Sequence, residues 1–202
     1  MNKVRSICVY CGSSSGHDAS YAAAAKVLGK SIADHGLQLT YGGGTKGIMG
    51  AVSSAVLANG GRVLGIIPRF LINKEAAEND LGTLSQLIIT ENMHERKHAL
   101  FENSDAFVAL PGGIGTLEEI VEVMTWAQLG HHTKPMVFGN INGFWDPMLS
   151  LVEHMRNEGF IHSGHLMQPL VVSTPEEIVG AILSAAAKVQ HDGSIKSDVE
   201  KL

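Results

Sequence analysis

The chain has 202 residues and a mass of 21.5 kDa, which fits one ordinary domain. Residues are 45% hydrophobic and 17% charged, too apolar for a disordered chain. A net charge of −5 with a pI near 6.0 argues against wholesale electrostatic binding to nucleic acid or to an anionic membrane.

In chain order, the alternation of short apolar runs and longer helical patterns predicts a strand near 4–10, a helix over 18–35, a strand at 37–41 and a helix over 47–59. Strands follow near 62–67 and 85–90, a helix over 92–103, a strand at 105–110 and a helix over 115–130. A strand at 135–139, a helix over 144–158, a strand at 169–172 and a helix over 175–189 complete the pattern. Asp18 suits a helix start, as does Thr174-Pro175 with Glu177 three residues after Thr174. The polar segment 190–202 lacks periodicity and reads as a frayed tail beyond a single domain of residues 1–189. The expected fold is α/β: a doubly wound, mostly parallel sheet with helices on both faces. Cys8 and Cys11 are the only cysteines, so no disulfide framework holds it. The apolar runs are too short to span a membrane or to form a signal peptide, so a soluble, cytoplasmic protein is expected.

Glycine clusters follow three of the strands, at Gly12–Gly16, at Gly42-Gly43-Gly44 and at Gly112-Gly113-Ile114-Gly115. In an open parallel sheet, ligands bind outside the carboxyl ends of the strands, where all three clusters fall. Backbone amides at Gly-lined helix N-termini favour a small anionic molecule. Gly42-x-Gly44-x-x-Gly47 matches a dinucleotide pattern, but it follows the second strand, and the next strand ends in Pro68-Arg69 with no acidic residue to hold a ribose. No P-loop sequence occurs. Cys8 and Cys11 have redox spacing, yet strand alternation sends them to opposite faces, which reads as two buried free thiols. His94-Glu95-Arg96-Lys97-His98 matches the zinc-hydrolase signature H-E-x-x-H but lacks a third ligand nearby, so no metal is expected.

The same helix has another reading. At about 100° per residue, Met93, Arg96, Lys97 and Leu100 share one side, and His94 and His98 point away from it. The inward cations need an anion, which an internal carboxylate or a bound phosphate would supply. Downstream, Pro111-Gly112-Gly113-Ile114-Gly115-Thr116-Leu117-Glu118-Glu119 is a strand end, a Gly turn and a helix start. Its bare amides and helix dipole suit a phosphate, and Thr116 adds a hydroxyl. Glu119 shares the side of Thr116 and Val123, beside the anion site, whereas Glu118 and Glu122 lie on a more polar arc.

The segment Met93–Lys97 followed by Pro111–Glu119 resembles the Lonely Guy (LOG) family, the cytokinin riboside 5′-monophosphate phosphoribohydrolases. The resemblance extends to Cys11-Gly12-Ser13-Ser14, Tyr41-Gly42-Gly43-Gly44, Met124–Gly130 and Glu158-Gly159-Phe160, and covers about residues 5–160. It implies a Rossmann-like fold, a homodimer, and hydrolysis of the N-glycosidic bond of a nucleoside 5′-monophosphate to free base and ribose 5-phosphate, without a cofactor. It puts catalytic roles on Arg96 and Glu119, and nucleotide binding on Lys97, Gly113, Ile114, Gly115, Thr116, Leu117, Glu118 and Thr125. The adjoining motif residues Ser13, Gly43, Gly44, Met93 and Gly112 complete the expected binding set. The family's acidic substrate contact upstream of the Arg-Lys pair falls on Glu78 by spacing, with Glu75 or no residue as alternatives. The base stays open between adenine and an N6-prenylated adenine. Some relatives are labelled lysine decarboxylase, a chemistry that needs a pyridoxal-phosphate site not found in this sequence. Two other readings make different predictions: a non-catalytic mononucleotide-binding module, and a zinc hydrolase using His94 and His98.

Overall fold

A computed structural model describes residues 3–76, 81–82, 84–161 and 168–199, with 190–199 as backbone only. The elements are β1 (Ser6–Tyr10), α1 (Ala19–Asp34), β2 (Gln38–Tyr41), α2 (Gly47–Ala58), β3 (Arg62–Pro68), β4 (Gln86–Thr90) and α3 (Met93–Glu102). They continue with β5 (Ala106–Ala109), α4 (Ile114–Gln128), β6 (Met136–Gly139), α5 (Asp146–Asn157), β7 (Leu170–Val172) and α6 (Ile178–Val199). All seven expected strands form one sheet in the order β4-β3-β2-β1-β5-β6-β7, and every pair is parallel.

Strand alternation builds the core on both sides of that sheet. From β1, Ile7 and Val9 pack with Leu28 and Ile32 of α1, Val52 and Val56 of α2 and Ile182 of α6. Cys8 and Tyr10 face the other way, onto Leu100 of α3, Ile120 and Val123 of α4 and Trp145 before α5. All five residues of β1 are buried, as a central parallel strand covered on both faces requires. The cysteines therefore lie on opposite faces as free thiols, and burial pushes both well above the ordinary thiol range. Trp145 ties the layer after β6 to the centre of the sheet, its indole Nε1 donating to the Ala109 carbonyl at 3.0 Å.

Two helix boundaries differ from expectation. The last helix is preceded by a single 3-10 turn at Pro175–Glu177, and it continues to Val199. Most of the segment expected to fray is thus helical, because an established helix propagates through polar residues when neither Pro nor a strong cap stops it. The other difference is at the start of α5, where a 3-10 turn at Ile141–Gly143 delays the helix to Asp146.

The chain leaves β1 toward β2 on one side and lies against β5 on the other. This is the topological switch point, where the loops after β1 and β5 diverge and open a crevice at the carboxyl edge of the sheet.

Candidate active site

A cavity of about 270 Å³ occupies that crevice. Its walls are Gly12 and Ser13 after β1, Gly42 after β2, and the first turn of α4, and Arg96, Glu119 and Glu75 project into it.

Arg96 is delivered by a well-fixed helix start. Asn92 caps α3 by accepting from the Glu95 amide at 2.9 Å, and the Glu95 carboxylate reaches back to the Glu91 amide at 2.9 Å and the Asn92 side chain at 2.8 Å. This reciprocal cap explains Glu95 in the H-E-x-x-H string without a metal. His94 and His98 face solvent, and no three His, Cys, Asp or Glu among the described residues converge to hold an ion. One turn inward, Arg96 is 6% exposed. Its Nε donates to the Ile66 carbonyl and its Nη2 to the Gly42 carbonyl, both at 3.3 Å, while Nη1 stands 3.5 Å from Glu119 Oε1.

Glu119 comes from the opposite wall. On the α4 wheel, Thr116, Glu119, Ile120, Val123 and Ala127 form the buried side. Ile114, Glu118, Val121, Glu122, Thr125 and Leu129 fall on the other arc. Desolvation pushes the Glu119 carboxyl up to about 7; Arg96 opposes this, Glu118 and Glu75 add to it, and Lys97 opposes it weakly. Burial, with the neighbouring carboxylates, outweighs the two cations, so the carboxyl exchanges its proton near neutral pH.

The first turns of α2 and α4 both reach the cavity wall, and among the described residues the amides of α2 are taken up while those of α4 are open. The amides of Ile48 and Met49 at the start of α2 donate to the Gly12 carbonyl at 3.1 and 3.2 Å. Gly47 makes this approach possible: its φ is +59°, and a Cβ there would stand 2.5 Å from the Ser13 backbone. The glycine pattern after β2 therefore plugs a helix end against the first loop. At α4, the capping residue Gly113 has no side chain. The amides of Ile114, Gly115 and Thr116 have no protein acceptor among the described residues. Those three donors, with the dipole behind them, form a seat for an anion.

Glu75 completes the wall. The segment after β3 folds back so that the Glu75 carbonyl accepts from the Thr45 amide at 3.1 Å. Its carboxylate oxygen Oε2 is buried and has no hydrogen-bond partner among the described residues.

Comparison with known proteins gives this geometry a family. A family model described as "Possible lysine decarboxylase" matches residues 49–182. A protein of Oryza sativa subsp. japonica described as "Cytokinin riboside 5′-monophosphate phosphoribohydrolase LOG" is 46% identical over 174 residues, 86% of this chain and 70% of that one. An Arabidopsis thaliana protein of the same description, LOG2, is 43% identical over 174 residues, 86% of this chain and 79% of that one.

The chain belongs to the LOG family. Among solved structures, the molybdenum cofactor binding protein of Rippkaea orientalis superposes with a TM-score of 0.65 at 20% identity, over 91% of this chain and 98% of that one. The molybdenum cofactor carrier protein of Chlamydomonas reinhardtii gives 0.66 at 21%, over 91% and 99%. At these identities the two share the fold with this LOG-family chain.

Of the expected site residues, Ser13, Gly113, Ile114, Gly115, Thr116, Arg96 and Glu119 line the cavity together, as does Glu75, one of the alternatives for the acidic contact. The other residues of the expected binding set lie outside its lining. Lys97 pairs with Glu118 at 2.5 Å and Glu122 at 3.2 Å, so internal carboxylates meet both cations of the Arg-Lys pair. Among the described residues no lysine lines the cavity, which leaves the amine of a Schiff-base decarboxylase without a representative there. Gly112 lies under Thr116 and Gly12, Gly43 packs on Ile67, and Gly44 packs on Met49. Met93 holds its sulfur 3.9 Å from Arg96 Nη1, Leu117 packs on the α3–α5 side of the core, and the Thr125 hydroxyl donates to the Val121 carbonyl. Glu78 lies outside the described residues. Gly42, from the glycine cluster expected at the ligand-binding edge, lines the cavity, and so does Met49, which no sequence signal announced because nothing in a helical Met marks a cavity wall.

Proposed function

We propose that this chain hydrolyses the N-glycosidic bond of adenosine 5′-monophosphate or its N6-modified derivatives, releasing the free base and ribose 5-phosphate. The observation that carries the reading is the buried Arg96–Glu119 pair, 3.5 Å apart, beside the open first turn of α4 in a family whose relatives are named for this reaction.

In this reading the 5′-phosphate rests on the amides of Ile114, Gly115 and Thr116, with the Thr116 and Ser13 hydroxyls alongside. The sugar then reaches Glu119, one turn further along α4. The C1′–N bond breaks with its electron pair going to the base, leaving an oxocarbenium-like ribose. Ionised Glu119 offsets that positive charge and takes a proton from the attacking water, whose oxygen bonds to C1′; that proton then passes to the departing base, which leaves Glu119 ionised again. Arg96 stays protonated because its pKa lies above about 12. Its contribution is electrostatic: it holds Glu119 and steadies the charge moving onto the base. Glu75 Oε2, unpartnered among the described residues, is the acceptor for a ribose hydroxyl or base amine, the role that spacing gave to Glu78 with Glu75 as an alternative.

The family's remaining binding residues, Lys97, Glu118 and Thr125, lie with Val121 and Leu129 on the outward arc of α4 and the adjoining α3. Val121 and Leu129 are exposed there, which supports a homodimer formed across this face. Two free, buried cysteines fit a reducing, cytoplasmic setting.

The test is chromatography of base and ribose 5-phosphate from AMP, N6-isopentenyl-AMP and their nucleosides. Release from a monophosphate, with the matching nucleoside slower by about a hundredfold or more in kcat/KM, supports the reading. Equal rates with and without phosphate would refute the α4 anchor. Calorimetric binding with no release would leave a non-catalytic nucleotide module.

A further inference from the structure

The guanidinium of Arg96 is placed more by backbone than by its acidic partner. Two of its three nitrogens donate to main-chain carbonyls from two different strand ends, Ile66 in β3 and Gly42 just after β2. Only Nη1 is left to face Glu119 and the cavity. Position 42 also leaves no room for a side chain beside the guanidinium. A Cβ there would stand 2.1 Å from Nη2, 3.3 Å from Cζ and 3.3 Å from Met49 Sδ. Gly42 is not among the positive-φ glycines, so an alanine could adopt its backbone conformation. What glycine supplies at 42 is room for the guanidinium and not a turn.

We propose that Gly42 is a positioning residue for the reaction: its carbonyl and its missing Cβ together hold the Arg96 guanidinium edge-on to Glu119. A methyl at 42 displaces the end of a flexible side chain, so the fold survives while the guanidinium leaves both carbonyls. A displacement of about 1 Å at a reacting site costs on the order of a hundredfold in rate. The inference rests on the hydrolase reading for its rate assay.

The experiment is a cycle of Gly42→Ala, Arg96→Ala and the double variant, with kcat and KM for AMP hydrolysis and circular dichroism for the fold. Gly42→Ala is expected to fold and to lose about a hundredfold in kcat, with KM changed by less than about threefold. In the Arg96→Ala background the same change should cost less than about threefold, since the group it displaces is gone. A second readout does not need turnover. Glu119 is faced by Arg96 and Lys97 from α3, by Cys8 and Tyr10 of β1 and Cys11 just after it, by Glu118 on its own helix and by Glu75 after β3. Loss of the nearest cation should move the Glu119 titration, followed by carboxyl ¹³C NMR, to higher pH in Gly42→Ala. It should move no further when Gly42→Ala is added to Arg96→Ala.

Unchanged kcat in Gly42→Ala, or full additivity in the double variant, would overturn the proposal. If Gly42→Ala does not fold, the double variant, which has no collision, should fold with the residual rate of Arg96→Ala; a double variant that also fails to fold overturns it. A silent wild type would refute the hydrolase reading alone, and the Glu119 titration would still decide the role of Gly42.

Discussion

Keeping Glu119 ionised in a buried site works against the fold, and replacing it by glutamine measures by how much. The carboxyl stands at about 7 in the native protein against an ordinary 4.5. The native state therefore binds more protons than the unfolded chain between those two values, and its stability falls as pH rises through that window. At about 1.4 kcal/mol per pH unit the gap is worth about 3 kcal/mol, fully expressed above pH 7 and absent below pH 4.5. Glu119→Gln keeps the shape of the protonated side chain and removes the ionisation. At pH 8 it should raise Tm by about 6–12 °C for a domain of this size. At pH 4.5 the two proteins should melt together. Thermal unfolding by circular dichroism at half-unit steps from pH 4.5 to 8.5 reads the difference directly. A glutamine variant that melts below the wild type at pH 8, or a gap that does not change with pH, would refute this account of the site.

Three further outcomes follow from the same structure. With Glu119 as the group that must ionise, kcat/KM should fall about tenfold per unit as pH drops below about 7 and level off above it, as a pH–rate profile would show. Asn92→Ala removes the cap of the helix that delivers Arg96, and should lower stability by about 1 kcal/mol and Tm by about 2–4 °C in a melting curve. EDTA treatment should leave the hydrolysis rate unchanged, whereas a zinc hydrolase using His94 and His98 would lose activity and regain it with added zinc.

The layered fold was legible because a central parallel sheet imposes apolar runs, such as Ile7–Tyr10 in β1 and Ala106–Ala109 in β5. The glycine clusters after β1 and β5, and the helical phase of Arg96 and Glu119, also located the crevice, because both follow from local periodicity. What was not legible depends on long-range contact. Nothing local tells the Gly42–Gly47 pattern from a phosphate loop; the difference is that the Gly12 carbonyl, some 35 residues away in sequence, plugs the start of α2. H-E-x-x-H was ambiguous for a similar reason, since Glu95 folds back onto Asn92 and leaves both histidines to solvent. Glu75 reaches the cavity through a non-periodic return after β3, and spacing alone pointed to Glu78. The last helix was cut short because amphipathic periodicity ends before the hydrogen-bonded backbone does.

The most direct measurement is a single-turnover assay of purified wild-type and Glu119→Gln proteins with N6-isopentenyl-AMP and AMP, following base and ribose 5-phosphate by chromatography. The wild type should release the two products in equal amounts, and Glu119→Gln should bind the nucleotide and return it intact. Base release by the glutamine variant at a rate near that of the wild type would contradict the assignment of the chemistry to the Arg96–Glu119 pair.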